Sequence, residues 1–181
     1  MRVIAGTCRG RVLISLDGND VRPTTDKVKE AIFSAIQFDL PDAHVLDLFS
    51  GTGQMGIEAL SRGAEQVDFL DASLKSIQCT KKNIQLLGLE NRTKVIQQDS
   101  ISYLKLTQEK YHLAILDPPY HKEILLQALP LLSDHLFIGG KAICEHESEL
   151  ILPAQIELLS VKKRYRYGKI AVTVYEKVDE V

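Results

Sequence analysis

HVLDLFSGTGQMG, residues His44 to Gly56, decides the reading of this 181-residue chain. Val45, Leu46, Leu48 and Phe49 form a short, nearly continuous apolar run, as in a strand buried on both faces of a parallel sheet. The run breaks into Gly51-x-Gly53-x-x-Gly56, and a helix-like segment follows to Arg62. Glycines at this spacing permit a tight turn, a close approach of backbone to ligand, and close packing of helix on strand. Asp71 lies twenty residues beyond Gly51, at the end of a second apolar run, Val67 to Leu70. An acidic residue there is placed to take up ribose hydroxyls. Strand, loop, helix and spaced acid together predict a site for a nucleoside-containing cofactor.

Asp47 narrows the choice of cofactor. It stands four residues before the first glycine, near the ligand-facing end of the strand. Beside the pyrophosphate of NAD or FAD it adds like-charge repulsion in a partly desolvated crevice. S-adenosylmethionine has no phosphate and carries a sulfonium and an ammonium, which a carboxylate attracts. The sign of the charge favours S-adenosylmethionine over an NAD-dependent oxidoreduction.

Working outward, the chain alternates strand and helix as βα units require. Strands are expected at Val67–Leu70, Lys94–Gln98, Tyr111–Leu116 and Phe137–Cys144. Ser73 caps a helix whose Leu74, Ile77, Ile84 and Leu87 face the sheet, and Gly88 suits its stop. Residues 122–135 are helical in pattern, with Pro130 expected to kink or divide them. From Ile156 the pattern changes to two long strands, Ile156–Tyr167 and Lys169–Val178, an antiparallel hairpin turning near Gly168. Before the glycine stretch, residues 1–16 read as a hairpin or extended arm. An amphipathic helix follows, with Val28, Ala31, Ile32, Ala35 and Ile36 on one face. The expectation is one domain over residues 1–181, with a basic arm and helix in 1–40 and the cofactor-binding and catalytic core in 41–181.

The composition is that of an ordinary globular protein, 45% apolar and 25% charged. No apolar run approaches a membrane span, and the first residues lack a signal-peptide core, so a cytoplasmic protein without membrane partners is expected. Cys8, Cys79 and Cys144 are scattered and, like the five histidines, show no metal-ligand spacing, so no metal is expected. The net charge of -2 hides an asymmetry. Residues 1–30 hold six Lys/Arg against four Asp/Glu, and residues 160–177 hold six against Glu176 alone, while 31–159 carries a net of -7. Basic ends on an acidic body suit a phosphate-rich partner. Arg9, Arg11, Arg22 and Lys27 are candidate phosphate contacts, with Lys162, Lys163, Arg164 and Arg166 as an outer rim.

The fourth strand ends in Asp117-Pro118-Pro119-Tyr120. Ligands of an open α/β sheet sit outside the carboxyl ends of the strands, so this tetrapeptide belongs beside the glycine loop. Two prolines stiffen the turn. The Pro118 carbonyl and Asp117 carboxylate then offer two acceptors to the N–H bonds of a base amino group, whose delocalised lone pair is otherwise a poor nucleophile. Tyr120 offers a face for stacking an extruded base. The chemistry indicated is methylation of a base amino group.

Taken together, LDLFSGTGQMGIEALSRGA and LDPPY resemble class I S-adenosylmethionine-dependent N-methyltransferases. The start, MRVIAGTCRGRVL with VRPTTDKVKEAIFSAI, resembles more narrowly the RsmD family, which methylates N2 of a guanine in bacterial 16S rRNA. The resemblance implies a Rossmann-like α/β fold: a mostly parallel seven-stranded sheet with an antiparallel C-terminal hairpin and helices on both faces. It implies Asp47, Phe49, Gly51, Thr52, Gly53, Gly56, Asp71, Asp99 and Ser100 around S-adenosyl-L-methionine, with Asp99 near the adenine amino group. Asp117, Pro118, Pro119 and Tyr120 are the expected catalytic set, and Arg9, Arg11, Arg22, Thr24 and Lys27 the expected RNA-binding set. The partner implied is 16S rRNA, in the small ribosomal subunit or its precursor, with no obligate protein partner. Lys27 and Lys29 stand where the family commonly has arginines, and Asp71 where glutamate is commoner. Rival readings are methylation of adenine N6 or another nucleic-acid amino group, and a non-catalytic ribosome-assembly binder.

Overall fold

All the expected strands join one sheet in the computed structural model, which describes residues 1–16, 26–119 and 124–179. β1 (His44–Asp47), β2 (Gln66–Asp71), β3 (Thr93–Gln97), β4 (Tyr111–Leu116) and β5 (Leu136–Glu147) run parallel in the order β3-β2-β1-β4-β5. β6 (Gln155–Ile156), β7 (Leu159–Tyr167) and β8 (Ile170–Lys177) complete the sheet beyond β5 in the order β8-β7-β6, all antiparallel. The helices are α1 (Asp26–Ala35), α2 (Gln54–Ser61), α3 (Leu74–Leu87), α4 (Ser100–Leu106) and α5 (Ile124–Ser133). Strand order reverses between β1 and β4, the switch point at which such sheets bind ligands.

Alternate residues of β1 feed two cores. Val45 packs with Ile32, Phe33, Ile57 and Ile84 from α1, α2 and α3 on one face, while Leu46 packs with Leu104, Leu125 and Leu129 from α4 and α5 on the other. Helices therefore cover both faces. The sheet has eight strands rather than seven, because the long strand expected from Ile156 is interrupted. Glu157 adopts a positive φ of 49°, and Gln155–Ile156 folds back to pair with Leu159 and Ser160. Pro130 lies inside α5 without dividing it. Leu125, Ala128, Leu129 and Leu132 are all buried, and their burial offsets the roughly 3 kcal/mol cost of an interior proline.

The helical faces depart from the simple apolar pattern. In α1, Phe33 and Lys29 are buried, whereas Ala35 is exposed. In α3, Leu74 is 54% exposed, and Thr80 and Asn83 occupy fully buried seats.

Lys29 explains the first departure. Its Nζ donates to the Arg2 carbonyl at 2.6 Å and lies 3.8 Å from Glu58, a carboxylate with no solvent exposure. Glu58 also accepts from Arg62 at 2.7 Å and from the backbone N–H groups of Ile4 at 2.8 Å and Ala5 at 3.0 Å. Burial pushes the Lys29 pKa down, against the pull of Glu58. Ser61 adds two more ties, donating to the Ala5 carbonyl and accepting from the Cys8 N–H. The N-terminal residues thus form a short antiparallel ribbon, with Arg2 bridged to Val12, strapped along α2.

A buried carboxylate with three hydrogen-bond donors and a lysine ion pair is costly to remove. Glu58→Ala should destabilise the protein by about 3–5 kcal/mol in urea unfolding, because Lys29 and Arg62 lose their counter-charge. Lys29→Met should cost much less, since Glu58 keeps Arg62 and both amides. Equal losses in the two variants would mean that the cluster acts only as packing.

Candidate active site

The glycine loop leaves β1 after Asp47 and is fastened on both sides. The Leu48 N–H donates to the Ile115 carbonyl of β4, and the Ser50 N–H donates to the Leu70 carbonyl of β2. Gly53 begins α2 in the left-handed region, at φ 80°, where its N–H reaches the Ser50 carbonyl at 2.6 Å. Gly56 lies against β2: a Cβ there would stand 2.3 Å from a Phe69 ring carbon. The second glycine therefore makes the turn and the third brings helix onto sheet.

Two carboxylates brace the loop from the strand ends. Asp47 is 1% exposed and accepts from the Gly56 N–H at 2.9 Å. Burial pushes its carboxyl up to about 7, against that hydrogen bond and with help from the nearby charge of Asp71. Asp71 accepts from the Gly51 N–H at 2.9 Å and from the Ser73 N–H at 2.8 Å. It sits at the end of β2, twenty residues past the first glycine, as expected.

The loop's carbonyls are met by α3, which the apolar pattern did not anticipate. Thr80 Oγ1 donates to the Gly51 carbonyl at 3.0 Å, and Asn83 Nδ2 donates to the Thr52 carbonyl at 2.9 Å. Both side chains are fully buried. Polar residues three apart on the sheet-facing side of a helix are the signal that points to them. Two further loop atoms, Ser50 Oγ and Gln54 Oε1, are buried with no hydrogen-bond partner among the described residues. Orphaned polar atoms of this kind fit a pocket that receives a polar ligand.

The other expected cofactor residues gather at the same carboxyl edge. Asp99 follows β3 and caps α4, accepting from the Ser102 N–H at 2.9 Å, and that hydrogen bond holds its carboxyl below the usual range. Ser100, the first residue of α4, is buried. Phe49 is half-buried against the α4–α5 core, and Thr52 Oγ1 lies 3.5 Å from the Met1 sulfur.

Asp117, Pro118 and Pro119 leave β4 beside this loop. Asp47 pairs with Ile115 across the β1–β4 ladder, so Asp117 begins its turn two residues later, one strand spacing of about 5 Å away. Asp117 is half-buried, Pro118 buried and Pro119 exposed. Tyr120, Arg22 and Thr24 lie outside the described residues.

The basic candidates fall into two places. The Thr7–Arg11 turn lies at the far ends of the helices: the Thr7 N–H donates to the Ser61 carbonyl, and the Arg11 guanidinium donates to the Leu86 carbonyl at 3.0 Å. α2 spans about 12 Å from the glycine loop to that end, so Arg9 and Arg11 do not join the catalytic turn. Lys27, by contrast, is exposed in the first turn of α1. β7 runs antiparallel to β8, which itself opposes β5, so the Gly168–Lys169 turn lies at the carboxyl edge, where Ser148 donates to the Lys169 carbonyl. Arg164 donates to the Leu152 carbonyl, Lys162 pairs with Glu176 at 2.9 Å, and Lys163, Arg166 and Lys169 are exposed.

Comparison with known proteins gives this arrangement a family. The family described as "Conserved hypothetical protein 95" matches residues 1–176. YlbH of Bacillus subtilis is 37% identical over 182 residues, covering 98% of this chain and 99% of the relative. A Haemophilus influenzae protein named ribosomal RNA small subunit methyltransferase D is 37% identical over 169 residues, covering 90% of this chain and 88% of its own. The chain belongs to the RsmD family. The solved structure of yhhF from Escherichia coli superposes with a TM-score of 0.90 at 30% identity, covering 99% of each chain. An RsmD-family chain is a methyltransferase, and the class I methyltransferase fold accounts for the switch-point loop and the antiparallel end of the sheet.

Asp47 gives this RsmD-family site a measurable signature. A carboxyl whose pKa is raised stabilises the fold below its unfolded value of 3.8, and that contribution is lost as pH rises to about 7. Asp47→Asn keeps an acceptor for the Gly56 N–H and removes the charge. The variant should gain stability over the parent as pH rises from about 4 to about 7, reaching roughly 2–4 kcal/mol. Unfolding followed against pH tests this, and parallel curves for the two proteins would show that Asp47 ionises without strain.

Proposed function

We propose that the protein transfers a methyl group from S-adenosylmethionine to the N2 amino group of a guanine in 16S rRNA, within the small ribosomal subunit or its precursor. The observation that carries this reading is the adjacency of two carboxyl-edge turns, the glycine loop after β1 and Asp117-Pro118-Pro119 after β4. The substrate class follows the name of the Haemophilus relative.

When bound, S-adenosylmethionine supplies an electrophilic methyl group on a cationic sulfur. Asp47 offers that cation a carboxylate shielded from water. Asp71, after receiving the Gly51 and Ser73 N–H groups on separate oxygens, keeps a lone pair on each for the ribose hydroxyls. Asp99 would hold the adenine amino group, with Phe49, Thr52, Ser100 and the loop glycines lining the pocket.

At the acceptor, the Asp117 carboxylate and the Pro118 carbonyl take the two N–H bonds of the guanine amino group and favour a pyramidal nitrogen. Its lone pair then points at the methyl carbon. The N–C bond would form as the methyl carbon's bond to sulfur breaks and the neutral thioether of S-adenosylhomocysteine leaves, and Asp117 would accept the proton that the then cationic nitrogen sheds. Tyr120 stacks on the extruded base.

Nucleoside mass spectrometry of small-subunit particles incubated with enzyme and cofactor tests the reading. N2-methylguanosine is expected. N6-methyladenosine would move the reaction to the rival base, and no methyl transfer to any RNA would overturn it. In single-turnover assays, Asp117→Ala should lose on the order of 10²–10³-fold, as when one preorganised polar partner is removed from a reacting centre. Asp117→Asn, which keeps an acceptor, should retain more activity. Tyr120→Ala should weaken the base complex by about 1–3 kcal/mol. Near-normal transfer by Asp117→Ala would mean that the turn is only a scaffold.

The placement of the cations makes its own claim about RNA. Arg166 and Lys169 flank the turn at the carboxyl edge of the sheet, whereas Arg9 and Arg11 reach RNA only if it extends about 12 Å or more along α2. Neutralising Arg166 and Lys169 should reduce the log–log salt slope of RNA binding by roughly 0.7–0.9 for each phosphate that is no longer neutralised. The Arg9 and Arg11 pair should change it less. The opposite ranking would place the RNA along the N-terminal ribbon.

A further inference from the structure

β7 carries two tyrosines among its cations, in the run Lys162-Lys163-Arg164-Tyr165-Arg166-Tyr167-Gly168-Lys169. Their register places both on one face. Tyr165 pairs with Val172 and Tyr167 with Ile170, and these partners belong to the core on the α1 side of the sheet. Arg164 and Arg166 pair with Thr173 and Ala171, so they stand on the opposite face. The two rings are nearly parallel, with 17° between their planes and centroids 6.5 Å apart. Each is packed on the core along part of its surface and leaves the rest in solvent. The rings gain little from each other, because 6.5 Å is near the outer limit of direct ring contact. That spacing is about two stacking distances of ~3.4 Å, the separation at which one planar base touches both rings.

The surroundings point to the ligand. Beyond Val161 no strand covers the outer edge of β7 among the described residues, so the rings lie on an open rim of the sheet. Lys163 shares their face, opposite Val174, and is exposed, as is Lys169 across the turn. Cations alone suit any polyanion. Aromatic faces set between them suit one that carries flat rings of its own, a nucleic acid. Tyr167 stands at the carboxyl edge, since its partner Ile170 pairs with Glu147 at the end of β5. β8 and β5 separate β7 from β4, which puts the rings three strand spacings, roughly 14 Å, from the Asp117 turn. A strand whose target base reaches Asp117 passes the rings within a few nucleotides.

We propose that Tyr165 and Tyr167 form a stacking site for an unpaired base of the RNA strand that flanks the target guanine. This rests on the RNA reading above and adds a contact to the flat face of a base, where the cations touch only phosphate. Every base has such a face, so the contact positions the strand without selecting its sequence.

Binding of the full chain to a short oligouridylate, and to a ribose-phosphate chain of equal length without bases, tests the site. The parent should bind the base-bearing strand about fivefold to a hundredfold more tightly. Tyr165→Leu and Tyr167→Leu keep apolar bulk against the core and remove the ring. Each should lower the affinity for oligouridylate about fivefold or more and leave the base-free strand bound as before. The log–log salt slope should not change, because no phosphate contact is lost. Tyr165→Phe and Tyr167→Phe should keep the parent affinity. Equal binding of the two strands by the parent would overturn the inference. So would leucine variants that lose affinity for both strands alike, which would mark the tyrosines as packing. Polyglutamate competing as strongly as oligouridylate of the same charge would make the rim a surface for acidic peptides and overturn it too. Should a leucine variant not fold, the strand ratio in the parent and in the phenylalanine variants decides. On small-subunit particles, the double leucine variant should raise KM for methyl transfer by more than it lowers kcat. N2-methylguanosine formed with an unchanged KM overturns the inference alone. Absence of methyl transfer by the parent overturns the functional reading, whereas the strand comparison stands apart from it.

Discussion

Two peptide carbonyls, those of Gly51 and Thr52, are turned into the protein by the tight bend that the glycine loop makes. Carbonyls removed from water need donors, and leaving one unmatched costs on the order of 1–3 kcal/mol. β1 ends too early to supply them, so α3 does, through Thr80 and Asn83. Much else follows from this. A helix obliged to present polar groups inward fixes its own rotation, which leaves Leu74 in solvent. The same rotation places Asn83 where it can hold the N-terminal ribbon. On the other side, the Gly56–Phe69 contact fixes how closely α2 lies on the sheet. The loop is clamped between two helices and two strands before any ligand arrives, a preorganisation that lowers the ordering cost of binding.

The fold was legible wherever a period or a turn residue dominated. β4 matches its expected bounds, and β1, the glycine loop and the Gly168 turn lie where an apolar run, three glycines and a strand pattern placed them. The placement of four acids was legible for the same reason, since Asp47 and Asp71 end β1 and β2 while Asp99 and Asp117 follow β3 and β4 at the carboxyl edge of the sheet. What escaped was polar chemistry turned inward. Lys29 reads as a surface cation on an amphipathic helix, and only the presence of Glu58 across the interface buries it. Thr80 and Asn83 interrupt an apolar stripe and look like loss of pattern rather than purpose. Arg9 and Arg11 show the limit of charge counting, which gives a sum along the chain but no direction in space. The break at Glu157 was hidden because a single non-glycine residue at positive φ leaves no mark in an alternating strand.

Asp47 illustrates a conflict between folding and ligand recognition. A carboxylate buried beside another acid is a poor choice for stability, and a neutral amide would hold the Gly56 N–H as well. A cationic ligand reverses that judgement, because it supplies the counter-charge that the protein withholds. Such residues are expected where a local rule is broken for the sake of a site. Glu58 is the opposite case, equally buried but fully matched by its own chain, and its charge serves architecture alone.

The strapping of the N-terminal ribbon also sets an order of events during synthesis. Ile4 and Ala5 await Glu58, Cys8 awaits Ser61 and Ile14 awaits Asn83, separations of 53 to 69 residues. Contacts that distant require a large loop to close before they return any free energy. A chain emerging from the ribosome therefore releases the ribbon long before its seats exist, and the ribbon docks only after α2 and α3 have formed. The N-terminal ribbon, made before α2 and α3, finds its place only after them.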